Sequence, residues 1–238
     1  HGREALACAE ASGDGPARMK ALNSLGALHY VDGKVTQALP LYEAALELAR
    51  ALGQRRWLGG LLGNLGSIRY AQGQLQQALS QYREALAVAL ETGDRQWEGN
   101  HRSNLGLLLH ELGEHVVAAD ELQRALQTAR DLGHARLERV AHCNLAIVRE
   151  ALGETALALS SYEEAIGLCV AQQDPRAEGE YLGRMGLLLA RAGSFEQAAT
   201  ALARGERLLR DADDRAALAM LLTQAALAAA LQGDAALA

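Results

Sequence analysis

Aromatic residues and proline are scarce in this sequence. Of the 238 residues, 4% are aromatic and 3 are proline, although 50% are hydrophobic. Alanine and leucine supply most of that hydrophobic half, both are strong helix formers, and signals for β-strands are absent. The composition therefore predicts helices that pack closely through small side chains.

The chain also has few residues that could carry catalysis or hold a metal. Its cysteines, Cys8, Cys143 and Cys169, are odd in number and show no CxxC spacing, which indicates neither a disulfide framework nor a zinc ribbon. The histidines form no HxxxH or HExxH pair, and no Ser, His and Asp set stands out. We therefore expect a protein that is not an enzyme, has no metal or cofactor, and lies in the reducing cytoplasm.

Positive charge is not in excess, and long apolar runs are missing. Lys and Arg number 23 against 29 Asp and Glu, a net charge of −6, so the chain lacks the basic field that attracts a phosphate backbone. No run approaches the ~18 apolar residues that a membrane span needs. The richest, Ala216 to Leu231, is interrupted by Thr223 and Gln224. We expect neither nucleic acid nor a membrane among the partners.

What the sequence does contain is repetition. Shifted by 40 residues, it aligns with itself without an insertion, and a pair such as Leu65-Gly66 or Leu105-Gly106 recurs in each copy. Two columns of equivalent positions are unbroken across six copies. They are Gly33, Gly73, Gly113, Gly153, Gly193 and Gly233, and Ala38, Ala78, Ala118, Ala158, Ala198 and Ala238. A fixed period of this size is typical of a solenoid, in which each repeat buries its apolar face against its neighbours.

Each repeat is expected to hold two helices, which we call A and B. Apolar residues recur at intervals of three and four from Leu58 to Ile68 and again from Leu75 to Leu90, and glycines follow both stretches. This pattern predicts one all-α array with two helices of ~17 residues in each repeat. The expected divisions are a partial repeat at 1–13, full repeats at 14–53, 54–93, 94–133, 134–173 and 174–213, and a partial repeat at 214–238.

Both partial repeats suggest that the chain is part of a longer protein. The final A helix is expected from Arg215 to Leu231, with a turn at Gly233, and it is apolar nearly all round. Ends of solenoids usually need a polar cap. We therefore expect Met220, Leu221 and Leu227 to be covered by another copy or by a crystal neighbour. Cover by another copy would make the chain a homo-oligomer through its open repeat ends.

These columns resemble the tetratricopeptide repeat. That family has a Leu-Gly pair in helix A, glycine at the turn, and alanine, an aromatic residue and alanine in helix B, and Gly66, Gly73, Ala78, Tyr82 and Ala85 match it. The resemblance implies a right-handed superhelix of about five and a half repeats. HEAT repeats are similar in length but lack these columns. The motif Gly63-Asn-Leu-Gly66 resembles the corresponding motif of the long-helix subclass that includes Pins/LGN scaffolds and MalT-like bacterial regulators.

The resemblance also implies that the A helices line a concave groove and that the residue before each Leu-Gly pair points into it. A side-chain amide offers both donors and an acceptor, so such a series could bond the backbone of an extended peptide. The alternative, that each amide bonds a neighbouring helix, stays open. The predicted peptide-binding column is Ser24, Asn64, Asn104, Asn144 and Arg184.

Further candidates lie five and six residues after this column. Tyr30 and Tyr70 are expected either to contact a ligand or to pack in the core, and Arg69 and Arg149 either to favour an acidic or C-terminal peptide or to be solvated. One departure weakens the analogy with the Pins-like scaffolds. Their arginine, four residues before the amide, is replaced in the column Lys20, Gly60, Asn100, Val140 and Glu180.

We therefore expect a non-catalytic protein-protein interaction module that binds an extended peptide or partner segment within a larger regulatory or signalling protein. The composition of the sequence, which is rich in Ala, Arg and Gly, suggests a bacterial source. The alternative is a domain that senses a ligand or signal peptide in a MalT-like activator or signalling ATPase.

Overall fold

The structure is a computed structural model that describes residues 2–237, apart from the side chains of residues 2, 3, 234, 236 and 237. Within this range the chain forms twelve α-helices and no strand. The helices are α1 (Gly2–Ser12), α2 (Gly15–Val31), α3 (Val35–Ala51), α4 (Arg55–Ala71), α5 (Leu75–Thr92), α6 (Arg95–Glu111), α7 (His115–Asp131), α8 (Ala135–Ala151), α9 (Thr155–Ala171), α10 (Pro175–Arg191), α11 (Phe195–Asp211) and α12 (Arg215–Leu237).

The predicted alternation of A and B helices is confirmed. The A helices are α2, α4, α6, α8, α10 and α12, and the B helices are α3, α5, α7, α9 and α11. Ten of these eleven helices have 17 or 18 residues. The fold class is therefore an all-α helical repeat, as the 40-residue period predicts.

The chain divides into two compact units, one up to Glu114 and the other from His115. In the first unit, α2 packs against α3 and α4 packs against α5. In the second unit, α8 packs against both α7 and α9, and α10 packs against α11 and α12. Each unit thus has its own core of apolar side chains between successive helices.

Small residues at the helix crossings have the predicted packing role. A Cβ atom on Gly66 of α4 would lie 2.7 Å from the ring of Tyr82 on α5. Ala78 and Ala85 of α5 are fully buried. In the second unit, a Cβ on Gly186 would lie 2.6 Å from the Leu202 side chain. A larger residue at either glycine would hold the paired helices apart.

The turns explain the second glycine column. Gly73, between α4 and α5, has a φ of +72°, a left-handed conformation that residues with a Cβ adopt reluctantly. In the turns that lead from a B helix to the next A helix, glycine is replaced at two of the corresponding positions. Gln173 and Asp213 occupy them, with φ values of +53° and +49°. Those two turns keep the geometry of the glycine turns at some local strain.

The final helix differs from the prediction. Gly233 lies inside α12, which runs unbroken to Leu237, instead of forming a turn. A glycine inside a helix costs only about 1 kcal/mol relative to alanine.

Most of the apolar surface of α12 is open, since only 17% of the apolar stretch within Arg215–Gly233 is buried. Met220 and Leu227 are exposed, as expected, but Leu221 is buried against the core of the second unit, so the prediction that it needs an outside partner is wrong. By length and composition, Arg215–Gly233 is the one stretch among the described residues that is apolar enough to cross a membrane. The expectation of no such stretch missed it, because it required an unbroken apolar run. Core helices of soluble proteins pass the same test, so this is weak evidence.

Candidate functional site

An open hollow of about 360 Å³ lies on the A helices of the first unit. α4 contributes Trp57, Gly60 and Asn64, α6 contributes Trp97, and α2 contributes Asn23. We call these five residues and the space between them the tryptophan groove. Both tryptophans are half-buried, and they are the only two in the sequence. The groove therefore offers aromatic surface at both sides and amide groups at one end.

Glycines on α4 make room for aromatic rings from α6. Trp97 stacks on His101, with ring centroids 5.2 Å apart and an angle of 16° between the planes. A Cβ on Gly60 would lie 3.0 Å from the Trp97 ring, and a Cβ on Gly63 would collide with the His101 ring. The glycine at position 60, where the Pins-like scaffolds have arginine, thus lets the Trp97 ring lie close to the α4 backbone.

His101 forms the buried base of this stack. Its side chain is 1% exposed, and neither ring nitrogen has a hydrogen-bond partner among the described residues. Burial lowers the pKa of His101 to about 4, although the Asp94 carboxylate acts in the opposite direction. The imidazole is therefore neutral at pH 7 and acts as an aromatic support for Trp97.

The two asparagines of the groove bond each other across a repeat boundary. Asn64 Nδ2 donates to Asn23 Oδ1 at 3.1 Å. Both residues are half-buried, and the Asn64 Oδ1 and Asn23 Nδ2 atoms make no hydrogen bond with the described residues. One acceptor and one donor therefore remain side by side, which is the complement of a peptide N–H and C=O.

An ion pair forms the rim of the groove. Arg56 Nε donates to Asp94 Oδ2 at 2.6 Å, and Asp94 caps α6 by accepting from the Trp97 backbone N–H at 3.2 Å. Desolvation tends to raise the pKa of Asp94, but the hydrogen bonds from Arg56 and Trp97 outweigh it and lower the pKa. The rim is thus electrically neutral, and it fixes the start of the helix that carries Trp97.

The predicted peptide-binding column is divided between the two units. Asn64 and Asn104 are half-buried on α4 and α6 of the first unit, and Ser24 is exposed on α2. Asn144 is half-buried on α8 of the second unit. Arg184, on α10, lines a separate hollow of about 150 Å³. We call this the Arg184 hollow, lined by Arg176, Glu180 and Arg184 of α10 and Ala217, Met220, Leu221 and Gln224 of α12.

The two predicted tyrosines are engaged in intramolecular contacts. Tyr30 is half-buried and packs against the core of the first unit. Burial and the Glu111 carboxylate, which accepts a hydrogen bond from its hydroxyl, raise the pKa of Tyr70. These contacts favour the packing interpretation over ligand contact for both residues.

The two predicted arginines do not join the tryptophan groove. Arg69 donates to Gln74 at 2.9 Å and to Glu43 of α3 at 3.1 Å. Arg149 donates to Ser161 of α9 at 2.6 Å and lines a third hollow, among α7, α8 and α9. Both guanidinium groups therefore lie on the side of the B helices, because five positions along a helix turn a residue well away from the amide column.

Trp57, Trp97 and Asn23 were not predicted as site residues. A signal was present, because the only two tryptophans stand 40 residues apart at equivalent positions, whereas Leu137, Ala177 and Ala217 follow in that column. Among the described residues, no group of three or more His, Cys, Asp or Glu side chains is placed to hold a metal ion.

The sequence profile of the tetratricopeptide repeat matches residues 17–91, 57–131 and 98–170. These matches overlap and cover more than half of the sequence. The chain belongs to the tetratricopeptide repeat family. No curated protein sequence matches it significantly.

Solved structures share the fold at low sequence identity. BtubC (BKLC) from P. vanneervenii is 21% identical, with a TM-score of 0.75 over 90% of this chain and 88% of that one. The Rap conjugation gene regulator of plasmid pLS20, solved with the Phr* peptide, is 18% identical, with a TM-score of 0.75 over 90% of this chain and 59% of that one. Aspartyl phosphate phosphatase F from Bacillus subtilis is 13% identical, with a TM-score of 0.78 over 94% and 59%. The chain thus spans less than two thirds of the last two proteins.

Proposed function

We propose that this chain is a peptide-binding module and that the tryptophan groove is where it anchors an extended peptide. The observation that carries the proposal is the joint placement of Trp57, Trp97, Asn23 and Asn64 around one open, neutral hollow. Tryptophans in a partly desolvated pocket are the residues that most often dominate binding energy. A structural neighbour that was solved with a peptide supports the same class of ligand.

The groove divides recognition between backbone and side chain. The free acceptor of Asn64 and the free donor of Asn23 bond the N–H and the C=O of one extended residue of the ligand, whatever its side chain. Trp57 and Trp97 then bury an apolar or aromatic ligand side chain. Because the Arg56 and Asp94 charges at the rim neutralise each other, the groove favours an uncharged anchor residue. Asn104, on the same unit, would extend the contact along the peptide, whereas Asn144 and Arg184 are separate candidate ligand contacts on the second unit.

The surrounding protein is proposed to be regulatory or signalling, and a sensing domain like that of MalT-like activators is the second candidate. One structural neighbour is a conjugation gene regulator, which favours a regulatory setting. The full gene separates the two candidates, since a sensor requires an attached ATPase or DNA-binding domain.

Selection from a random linear peptide library, followed by calorimetry, tests the proposal. Peptides selected on the full chain should bind the Trp57→Ala variant about 10- to 100-fold more weakly, the usual cost of truncating a dominant contact residue. Trp57 is chosen because, unlike Trp97, it does not stack on His101.

The control is Met220→Ala, which removes an exposed apolar side chain from the Arg184 hollow. It should change the affinity by less than about twofold, as expected for a residue outside the contact. Peptides that bind the Trp57→Ala variant as tightly as the original chain, or a selection that enriches no peptide, would refute the proposal.

A further inference from the structure

The second unit contains a polar hollow of about 400 Å³ on the side of its B helices. It lies over α8 and between α7 and α9, and its charged and imidazole groups are Arg130, His142, Arg149 and Glu164. We call it the His142 hollow. It is separate from the proposed peptide site, because the B helices α7 and α9 flank it and it contains no residue of the predicted peptide-binding column.

The repeat itself shows that this hollow is unusual. The column of equivalent positions that contains His142 has six members, and four of them are leucine. Of these, Leu22, Leu62 and Leu182 are buried in their repeats. His142 is equally buried, at 5% exposed, and its Nδ1 atom has no hydrogen-bond partner among the described residues. An imidazole at a core position with an unpaired nitrogen is costly unless a further group completes it.

Two arginines on different helices reach the hollow, and each has guanidinium N–H groups that make no hydrogen bond with the described residues. Arg149 Nη1 donates to Ser161 Oγ at 2.6 Å, whereas its Nε and Nη2 atoms make no hydrogen bond with the described residues. Arg130 Nε donates to Glu138 at 2.9 Å, and its Nη2 lies 3.2 Å from His142 Nε2, which leaves Nη1 free. The hollow therefore has unused guanidinium donors on α7 and α8.

The charges differ between the two ends. His142 and Arg149 are seven residues apart on α8, so the hollow is about two helical turns, or roughly 10 Å, long. At the His142 end, Arg130 is balanced by Glu138 and faces Glu164, which lies one turn beyond Ser161 on α9. At the Arg149 end the lining groups are the Ser160 and Ser161 hydroxyls and the Gln123 amide, all neutral. The Arg149 end is thus the positive end.

We propose that the His142 hollow binds a small phosphate-bearing ligand, with the phosphate at the Arg149 end. Donors approach that end from α8 through Arg149, from α9 through Ser160 and from α7 through Gln123. A tetrahedral oxyanion presents oxygens in three directions and can meet all three helices, whereas a planar carboxylate presents only two oxygens. The space beyond, towards His142 and Glu164, takes the remainder of the ligand.

Nuclear magnetic resonance titration of the full chain with inorganic phosphate, at constant ionic strength, tests this proposal. Saturable shifts are expected at the Arg149 side chain and the His142 ring. Arg149→Gln should weaken binding by about 10- to 100-fold, the value of a charge-assisted hydrogen bond. Ser160→Ala, at an exposed position, should weaken it by about 2- to 10-fold, as for a neutral hydrogen bond. Glu164→Gln should strengthen it, because a like charge is removed.

Arg69→Gln is the matched control. Arg69 stands two repeats before Arg149 at the equivalent position, but it bonds Glu43 and Gln74 and is not among the residues that line the His142 hollow. Its replacement should leave phosphate binding unchanged. Absence of saturable binding, equal binding by the Arg149→Gln chain with unchanged helicity, or acetate binding as tightly as phosphate would overturn the proposal.

Discussion

The tryptophan groove of the first unit and the Arg184 hollow of the second are built from equivalent positions of the repeat, but their chemistry is opposite. The equivalent pairs are Gly60 and Glu180, Asn64 and Arg184, Trp97 and Ala217, and His101 and Leu221. The first site is neutral and aromatic, with a volume of about 360 Å³. The second is charged and aliphatic, with a volume of about 150 Å³.

The framework around the two sites is the same. Arg56 bonds the capping residue Asp94 at 2.6 Å in the first unit, and Arg176 bonds the capping residue Asp214 at 2.5 Å in the second. Each pair ties one A helix to the start of the next. The comparison shows that residues common to both sites hold the same framework, whereas residues that differ at equivalent positions give each site its own surface.

The largest expected effect concerns the buried ring beneath Trp97. His101→Leu gives the first unit the residue that the second has at position 221. The folded pKa of His101 is about 4, below its ordinary value of 6.5, so between these values the unfolded chain binds a proton that the folded chain does not. Stability supplied by the neutral ring is complete above pH 6.5 and is lost as the pH falls towards 4, by up to about 3 kcal/mol.

Urea unfolding at pH 7 and pH 4.5 measures this effect. The original chain should lose more stability on acidification than the His101→Leu chain, since the other titrating groups are common to both. An equal loss in the two chains would show that His101 is not held neutral by burial.

The next effect compares two glycines at equivalent positions. In Gly63→Ala the new Cβ meets the His101 ring, which is held by Trp97, so we expect a loss of about 1 to 3 kcal/mol. In Gly183→Ala the nearest atom is the end of the flexible Gln224 side chain, and alanine is the better helix former. We expect this second change to alter stability by less than about 1 kcal/mol. Equal thermal unfolding of the two variants would contradict the proposed ring packing.

The smallest effect concerns the amide pair. Asn64→Ala removes one neutral hydrogen bond to the ligand backbone, so a selected peptide should bind about 2- to 10-fold more weakly by calorimetry. Gln224→Ala, which removes the side-chain amide of the Arg184 hollow at a later position of the same column, is the control and should bind like the original chain. A loss of the same size in both variants would remove the special role of the first unit.

The regular parts of this structure were predictable from the sequence. Period, helix count in each repeat and turn glycines such as Gly73 follow from the 40-residue columns, because local backbone rules and close helix packing leave few alternatives. Gly233 belongs to the same column but lies within α12. Membership of a column thus does not fix the backbone conformation at every equivalent position.

The candidate site was predicted only in part. Asn64 follows from its column, and the structure adds its hydrogen bond to Asn23. Arg149 was predicted as a peptide-binding residue, but the structure places it in the His142 hollow. The prediction used its position along the helix and did not consider which side of the helix that position faces. The stacking of Trp97 on His101 is a contact within α6, but the approach of Trp97 to Gly60 is a contact between repeats, which a column of equivalent positions does not contain.

The emission of Trp57 and Trp97 tests the central claim most directly. No other tryptophan exists in the chain, so its intrinsic fluorescence reports on the tryptophan groove alone. A selected peptide should shift the emission maximum to shorter wavelength, with a saturation curve that gives the same Kd as calorimetry. Calorimetric binding without any change in tryptophan emission would place the peptide elsewhere and contradict the account.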